Sequence, residues 1–188
     1  MRTGGRSVAD VEIELGGGAV LRGFRPEDAE ALVALVDANR VRLARWFPWA
    51  DGASVGTQRA WLEATIRDDQ PYAPAGIWLG DALTGGCDLT IEAISDTGEL
   101  GFWLDEGAVG RGLVTRGCQA LMRAGFDEAG LHRIQLRAGV ENLRSRAVAK
   151  RLKMREEGVL RGAGKVGGGL YVDLVMYGML VDEWRLIV

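Results

Sequence analysis

Residues 99–115, ELGFWLDEGAVGRGLVT, decide the reading of this chain. The stretch opens with strand alternation. Leu100, Phe102 and Leu104 fall on one side, and Glu99, Gly101 and Trp103 on the other. It ends in a glycine-rich turn, Gly107 to Gly112, followed by Val114, Cys118, Leu121, Met122, Gly125, Phe126 and Ala129 at helical spacing. Strand, glycine turn and helix can hold a phosphate: Gly110 and Gly112 let the backbone approach a ligand, and the free N–H groups of the first helical turn favour an anion. The alternative is a tight connection that binds nothing. The turn is not a Walker loop, since no Gly-Lys-Ser/Thr follows, and the spacing of Gly107, Gly110 and Gly112 is not GxGxxG.

The 188 residues suit one domain with a sizeable core, with residues 1–10 as a flexible start and 11–188 as the domain. No apolar run reaches the ~18 residues of a membrane span, and the N-terminus lacks a signal-peptide centre, so the cytoplasm is the expected compartment. Cys87, Cys118 and His132 are the whole thiol and imidazole inventory, which argues against a disulfide framework or a zinc site; no metal is expected. The net charge of −3 conceals an asymmetry: Val109–Arg155 holds 11 Lys/Arg against 3 Asp/Glu. An acidic protein with one basic block fits a small polyanionic ligand better than nucleic acid, although the arginines also read as a solvated helix face.

Taken in order, Val11–Leu15 and Ala19–Phe24 read as strands around Gly16-Gly17-Gly18. Arg25-Pro26-Glu27-Asp28 opens a helix that buries Ala31, Leu32, Leu35 and Val36. Trp46, Phe47 and Trp49 surround Pro48, either as a loop anchor or as one wall of a pocket. Thr57–Arg67 reads as a helix with Trp61, Leu62 and Ile66 inward. Gly76–Leu83 and Cys87–Ile94 read as strands joined by a turn at Thr84-Gly85-Gly86. After the central unit, closed by Gly130, His132–Ala138 alternates strictly, with a wet or cleft-lining face at Arg133, Gln135 and Arg137. Asn142 is a good N-cap for a short helix with Ser145, Val148, Ala149 and Leu152 on its inner stripe. Val159–Leu160 and Leu170–Leu180 close the chain, split by an expected mobile loop at Gly162–Gly169. The order implies a mixed α/β domain around one sheet.

An ordered set of motifs carries a family resemblance: LARWFPW (43–49), LGFWLDE (100–106), GRGLVT (110–115), LHR (131–133), ENLRS (141–145), EEGVLR (156–161) and YVD (171–173). The chain resembles the GNAT superfamily of acyl-CoA-dependent N-acyltransferases, in the branch containing ribosomal-protein N-terminal acetyltransferases. The resemblance spans Phe24 to Trp184. It implies a mostly antiparallel sheet, flanked by helices and splayed between two parallel strands, Leu100–Asp105 and His132–Ala138. The CoA arm would lie in that opening against Trp103 and Leu104, with its pyrophosphate on backbone N–H groups among Val109, Gly110, Arg111, Gly112, Leu113, Val114 and Thr115. Asn142 and Arg144 join this cofactor set, and Arg116, Arg146 and Lys150 are further partners for the CoA phosphates.

The implied chemistry is direct attack of a primary amine on the acetyl-CoA thioester. Ser145 then resembles the group that protonates the leaving thiolate, beside a plainer role supporting the helix cap. Asn142 orients the cofactor or that helix. Glu99 is the candidate base, with a salt-bridged strand residue as the alternative; Glu141 is a weaker candidate, and His132 reads as structural. Trp46, Trp49 and Phe102 are expected at the acceptor. Departures stand at Val109, where the family has Gln or Arg; at Ala149, where the commoner GNAT tyrosine acid falls; at Lys153-Met154 in place of Gly-Phe; and near Gly164, where close relatives carry a base-like glutamate. The acceptor is a protein N-terminus or a small-molecule amine, and succinyl-CoA is an alternative donor. A non-catalytic acyl-CoA-binding module is the reading from a different class. The branch includes homodimers.

Overall fold

The computed structural model describes residues 12–65 and 74–188. Eight strands form one sheet: β1 (Glu12–Gly16), β2 (Ala19–Gly23), β3 (Ala75–Leu79), β4 (Ala82–Glu92), β5 (Thr97–Leu104), β6 (Arg133–Gly139), β7 (Arg155–Lys165) and β8 (Tyr171–Leu180). Their spatial order is β1-β2-β3-β4-β5-β6-β8-β7. All neighbours are antiparallel except β5 and β6, which are parallel and paired only at Thr97–Arg133, Gly98–Ile134 and Glu99–Gln135. Beyond Glu99, β5 stays with β4 as far as Leu104, while β6 stays with β8 as far as Gly139. The sheet is therefore split between Leu100–Leu104 and Leu136–Gly139.

The helices are α1 (Ala29–Ala44), α2 (Val55–Thr65), α3 (Leu113–Arg123), α4 (Leu143–Arg151) and the short α5 (Val181–Trp184). On one face of the sheet, α3 buries Leu113, Val114, Cys118, Leu121 and Met122 against Ile77, Leu89, Leu100, Ile134 and Leu136. Each large apolar side chain so buried contributes about 1.5–3 kcal/mol relative to exposure. On the other face, α1 and α2 bury Leu32, Val36, Leu43 and Leu62 with Phe24, Trp78 and Leu83. α3 runs into a five-residue wide turn, Ala124–Glu128, that keeps Phe126 inside and leaves Ala129 exposed.

Several expectations need correction. Thr84-Gly85-Gly86 is not a turn: it lies inside β4, and the hairpin turns at Gly80, whose φ is +58°. Gly85 and Gly86 are small for another reason, since a Cβ on them would stand 2.5 Å from the Trp103 carbonyl oxygen and 2.9 Å from the Trp103 indole nitrogen. Gly162–Gly169 is not one loop. β7 continues to Lys165 through two bulges, and Gly162 N donates to Asp173 Oδ1 at 2.7 Å. The strand is an edge with both sides in solvent, so its sequence carries no buried-face alternation. Trp61 is exposed because α2 turns Gln58 and Leu62, one turn apart, to the interior; Ala31 is exposed while Val33, Asn39 and Leu43 are buried. Residues 1–10, expected as a flexible start, and Val11, Ile66 and Arg67 lie outside the described residues.

Candidate active site

The split sheet is the site. On the side of the glycine turn, a cleft of about 810 Å³ runs between the end of β5, the start of α3 and the start of α4. Phe102, Trp103 and Leu104 form its β5 wall, Gly110, Gly112 and Leu113 its floor, and Asn142, Leu143, Arg144 and Ser145 its α4 wall. A second cleft of about 280 Å³ opens between Glu99–Phe102 of β5, Leu136–Gly139 of β6 and Ala163–Lys165 of β7, with Val166 just beyond. Trp46, Phe47, Phe102, Asn142 and Ser145 border both, so the opening joins them.

The floor has a geometry that can receive an anion. Gly110 and Gly112 have φ of +86° and +71°, the left-handed region that other residues enter at a cost of about 1–2 kcal/mol. Gly112 is the N-cap of α3 and caps it with no side chain, so the first N–H groups of that helix, at Leu113, Val114 and Thr115, have no carbonyl one turn behind them. The Arg116 guanidinium donates to the Arg111 carbonyl at 3.0 Å and braces the turn from outside. The Arg111 side chain itself is not on the cleft lining.

Asn39, buried in the middle of α1, ties the turn to the helical layer. Its Nδ2 donates to Asp105 Oδ1 at 2.8 Å, and its Oδ1 accepts from Glu106 N at 3.1 Å and from the Arg42 guanidinium at 2.7 Å. Glu106 is in turn held by Arg42 at 3.2 Å and by both terminal nitrogens of Arg144, at 2.8 and 3.1 Å. The hydrogen bond from Arg144, offset by desolvation and reinforced by the two cationic charges, holds the Glu106 carboxyl below its ordinary range. Asn39 and Arg42 were missed in the sequence, although an uncharged polar residue spaced four before Leu43 on an apolar helix face is a signal for such a staple. Replacing Asn39 with Ala strands Asp105 and the Glu106 N–H, and is expected to cost about 2–4 kcal/mol in urea denaturation.

On α4, Asn142 Oδ1 accepts from Ser145 N at 3.2 Å, which is the cap expected from the sequence. The bond uses the Ser145 backbone, and no bond to its hydroxyl is formed among the described residues. Arg144 lines the cleft, whereas Arg146 turns away to Tyr177 Oη and the Val140 carbonyl, both at 3.0 Å. Lys150 is absent from the lining and Arg151 is on it. Ala149, on the inner face of α4, is fully buried.

In the second cleft, Glu99 accepts from Arg137 Nε at 2.8 Å and from Gln135 Nε2 at 3.1 Å. Trp46 lies against the backbone of Gly139, and the Arg45 guanidinium sits 5.0 Å from the centre of its ring. Trp49 lines neither cleft. It stands edge-on behind Trp103 at 6.1 Å and supports that wall. Glu141 is exposed beside Arg45 at 3.7 Å, and the His132 carbonyl accepts from Val181 N at 3.0 Å, away from both clefts.

Comparison with known proteins agrees with this geometry. The model of the acetyltransferase (GNAT) domain family matches residues 19–155. A putative ribosomal N-acetyltransferase of Bacillus subtilis, YdaF, is 33% identical over 172 residues, 88% of this chain and 92% of that protein. The ribosomal-protein-serine acetyltransferase of Escherichia coli is 33% identical over 57% of this chain and 60% of its own length. The solved structure of RimL, a ribosomal L7/L12 alpha-N-protein acetyltransferase in complex with coenzyme A, superposes with a TM-score of 0.85 at 26% identity, over 92% of this chain and 99% of that one. The split sheet, the glycine-floored cleft and these likenesses together place the chain in the GNAT acetyltransferase family, as a CoA-dependent N-acyltransferase.

Proposed function

We propose that the chain moves an acetyl group from acetyl-CoA to the N-terminal amine of a protein or peptide in the cytoplasm. The observation that carries this reading is the opening between β5 and β6, which connects a long cleft with an anion-binding floor to a shorter cleft open to solvent. The long cleft takes the CoA arm, with pyrophosphate on the N–H groups of Gly110–Thr115 and the pantetheine past Trp103 and Leu104. The residues fit: the floor carries no capping side chain, and Arg42, Arg45, Arg144 and Arg151 surround the mouth. Bound there, acetyl-CoA supplies an activated acyl carbon.

The shorter cleft takes the amine. Trp46, Phe47 and Phe102 give it an aromatic wall, and Ser145 borders both clefts, where a hydroxyl can protonate a departing thiolate. The names of the Bacillus and Escherichia relatives support a protein acceptor over a small amine, and that of RimL, an alpha-N-protein acetyltransferase, supports its N-terminus. No helix among the described residues is long and apolar enough to cross a membrane. Exposed Val159, Leu160, Leu170 and Tyr171 on the β7–β8 edge support a homodimer through that edge, which light scattering tests.

Succinyl-CoA is the second reading. Arg137 and Lys165 both line the acceptor-side cleft, but Arg137 is already paired with Glu99, so a donor carboxylate meets Lys165. A thiol-release assay decides: acetyl-CoA with serine- and alanine-initiated peptides is expected to turn over at least tenfold faster than succinyl-CoA or small polyamines. The opposite order overturns the acetyl reading, and CoA binding without turnover on any amine favours a binding module.

A further inference from the structure

Glu99, the carboxylate nearest the opening by sequence, is committed to Arg137 and Gln135. A second carboxylate stands on the same face. Asp88 of β4 is opposite Gly101 of β5, two residues beyond the Glu99–Thr90 pair, so Asp88, Thr90, Glu99 and Gly101 share the side of the sheet turned from α3. A Cβ on Gly101 would stand 2.5 Å from Asp88 Oδ1 and 2.9 Å from Oδ2: the carboxylate lies on the Gly101 backbone, in the space a side chain would fill. Gly101 lines the acceptor-side cleft, and Asp88, itself on neither cleft lining, stands directly behind it. Asp88 is only partly exposed and forms no ion pair among the described residues.

We propose that Asp88 accepts the proton released by the acceptor amine, a reading that rests on the acetyl-transfer function. The ammonium gives its first proton, by way of one water, to the Asp88 carboxylate, which passes it to solvent. The freed nitrogen lone pair forms the N–C bond to the thioester carbon, and the C–S bond breaks. The second proton leaves the nitrogen as the adduct collapses and reaches the sulfur by way of the Ser145 hydroxyl. The amide and the CoA thiol are then both neutral at the reacting atoms.

The environment suits the task. Burial pushes the Asp88 carboxyl up to about 6, against a lowering bond from the Thr90 side chain, and the Glu99 charge adds to the rise. The charged groups facing it among the described residues are Glu99 from β5 and, through Glu99, Arg137 from β6. Asp88 is therefore ionised, and able to take a proton, above about pH 6. Because the folded state holds that proton more tightly than the unfolded chain, Asp88 lowers stability progressively as pH rises from about 4 through 6.

The test compares wild type, Asp88→Asn and Glu99→Gln with acetyl-CoA and a serine-initiated peptide across pH 5–9. Wild-type kcat/KM is expected to rise through an acid limb near pH 6. Asp88→Asn is expected to lose about 100-fold at pH 7 together with that limb, while its thermal midpoint gains on wild type as pH goes from 5 to 7. Glu99→Gln is expected to keep the limb and shift it to lower pH. An Asp88→Asn enzyme with the wild-type limb, or a limb abolished by Glu99→Gln alone, overturns the proposal and leaves the acetyltransferase reading standing. Wild type that transfers acetyl to no amine brings down both.

Discussion

Gly112→Val is expected to weaken CoA binding about 100-fold in calorimetry while leaving the protein folded. Position 112 has φ +71°, so any side chain there costs about 1–2 kcal/mol to hold in place, and a β-branched one more. The strain is relieved by rotating the turn, which moves the N–H groups of Leu113 and Val114 off the phosphate. Each charge-assisted bond so lost is worth about 1.5–3 kcal/mol, and about 2.7 kcal/mol in total gives a hundredfold. The Arg116 guanidinium, 3.0 Å from where the new Cβ stands, is the end of a flexible side chain and can move aside, so the core under α3 is spared. Unchanged affinity would remove the glycine turn from the donor site.

Ser145→Ala is expected to lower kcat about 10²–10³-fold with CoA affinity unchanged within about twofold. The cap of α4 is made by the Ser145 backbone N–H, so the substitution leaves it intact. A cap-only role predicts no loss. Asn142→Ala is the contrast: it removes the acceptor of that bond, costs about 1 kcal/mol of stability, and tilts the α4 wall of the donor cleft.

The parts of this site that were readable in the sequence are those where one face is wet and the other buried. β5, β6 and α4 announced themselves by alternation or helical spacing, and the glycine turn by its place between strand and helix. Glycine was also where the reading failed. At Gly110 and Gly112 it supplies a positive φ, whereas at Gly85 and Gly86 it yields room to Trp103, and the letter is the same for both uses. Only Val159–Leu160 of β7 was read as strand, and its end from Gly162 as a loop, because an edge strand with two solvated faces has no period to detect. Asn39 carried a signal, a polar residue on an apolar helix face, but its partner Asp105 lies 66 residues away and only the packing of α1 on that turn identifies it. Asp88 had no such signal, because only the register of the β4–β5 hairpin sets it opposite Gly101.

The central claim is that the donor lies in the opening between β5 and β6 and on the first turn of α3. Backbone hydrogen exchange with and without CoA measures this directly. Protection is expected at residues 102–104 and 110–115 on adding CoA, with β1 and β2 unaffected. Saturating CoA that leaves both stretches unprotected, or protects a different part of the sheet, would contradict the account.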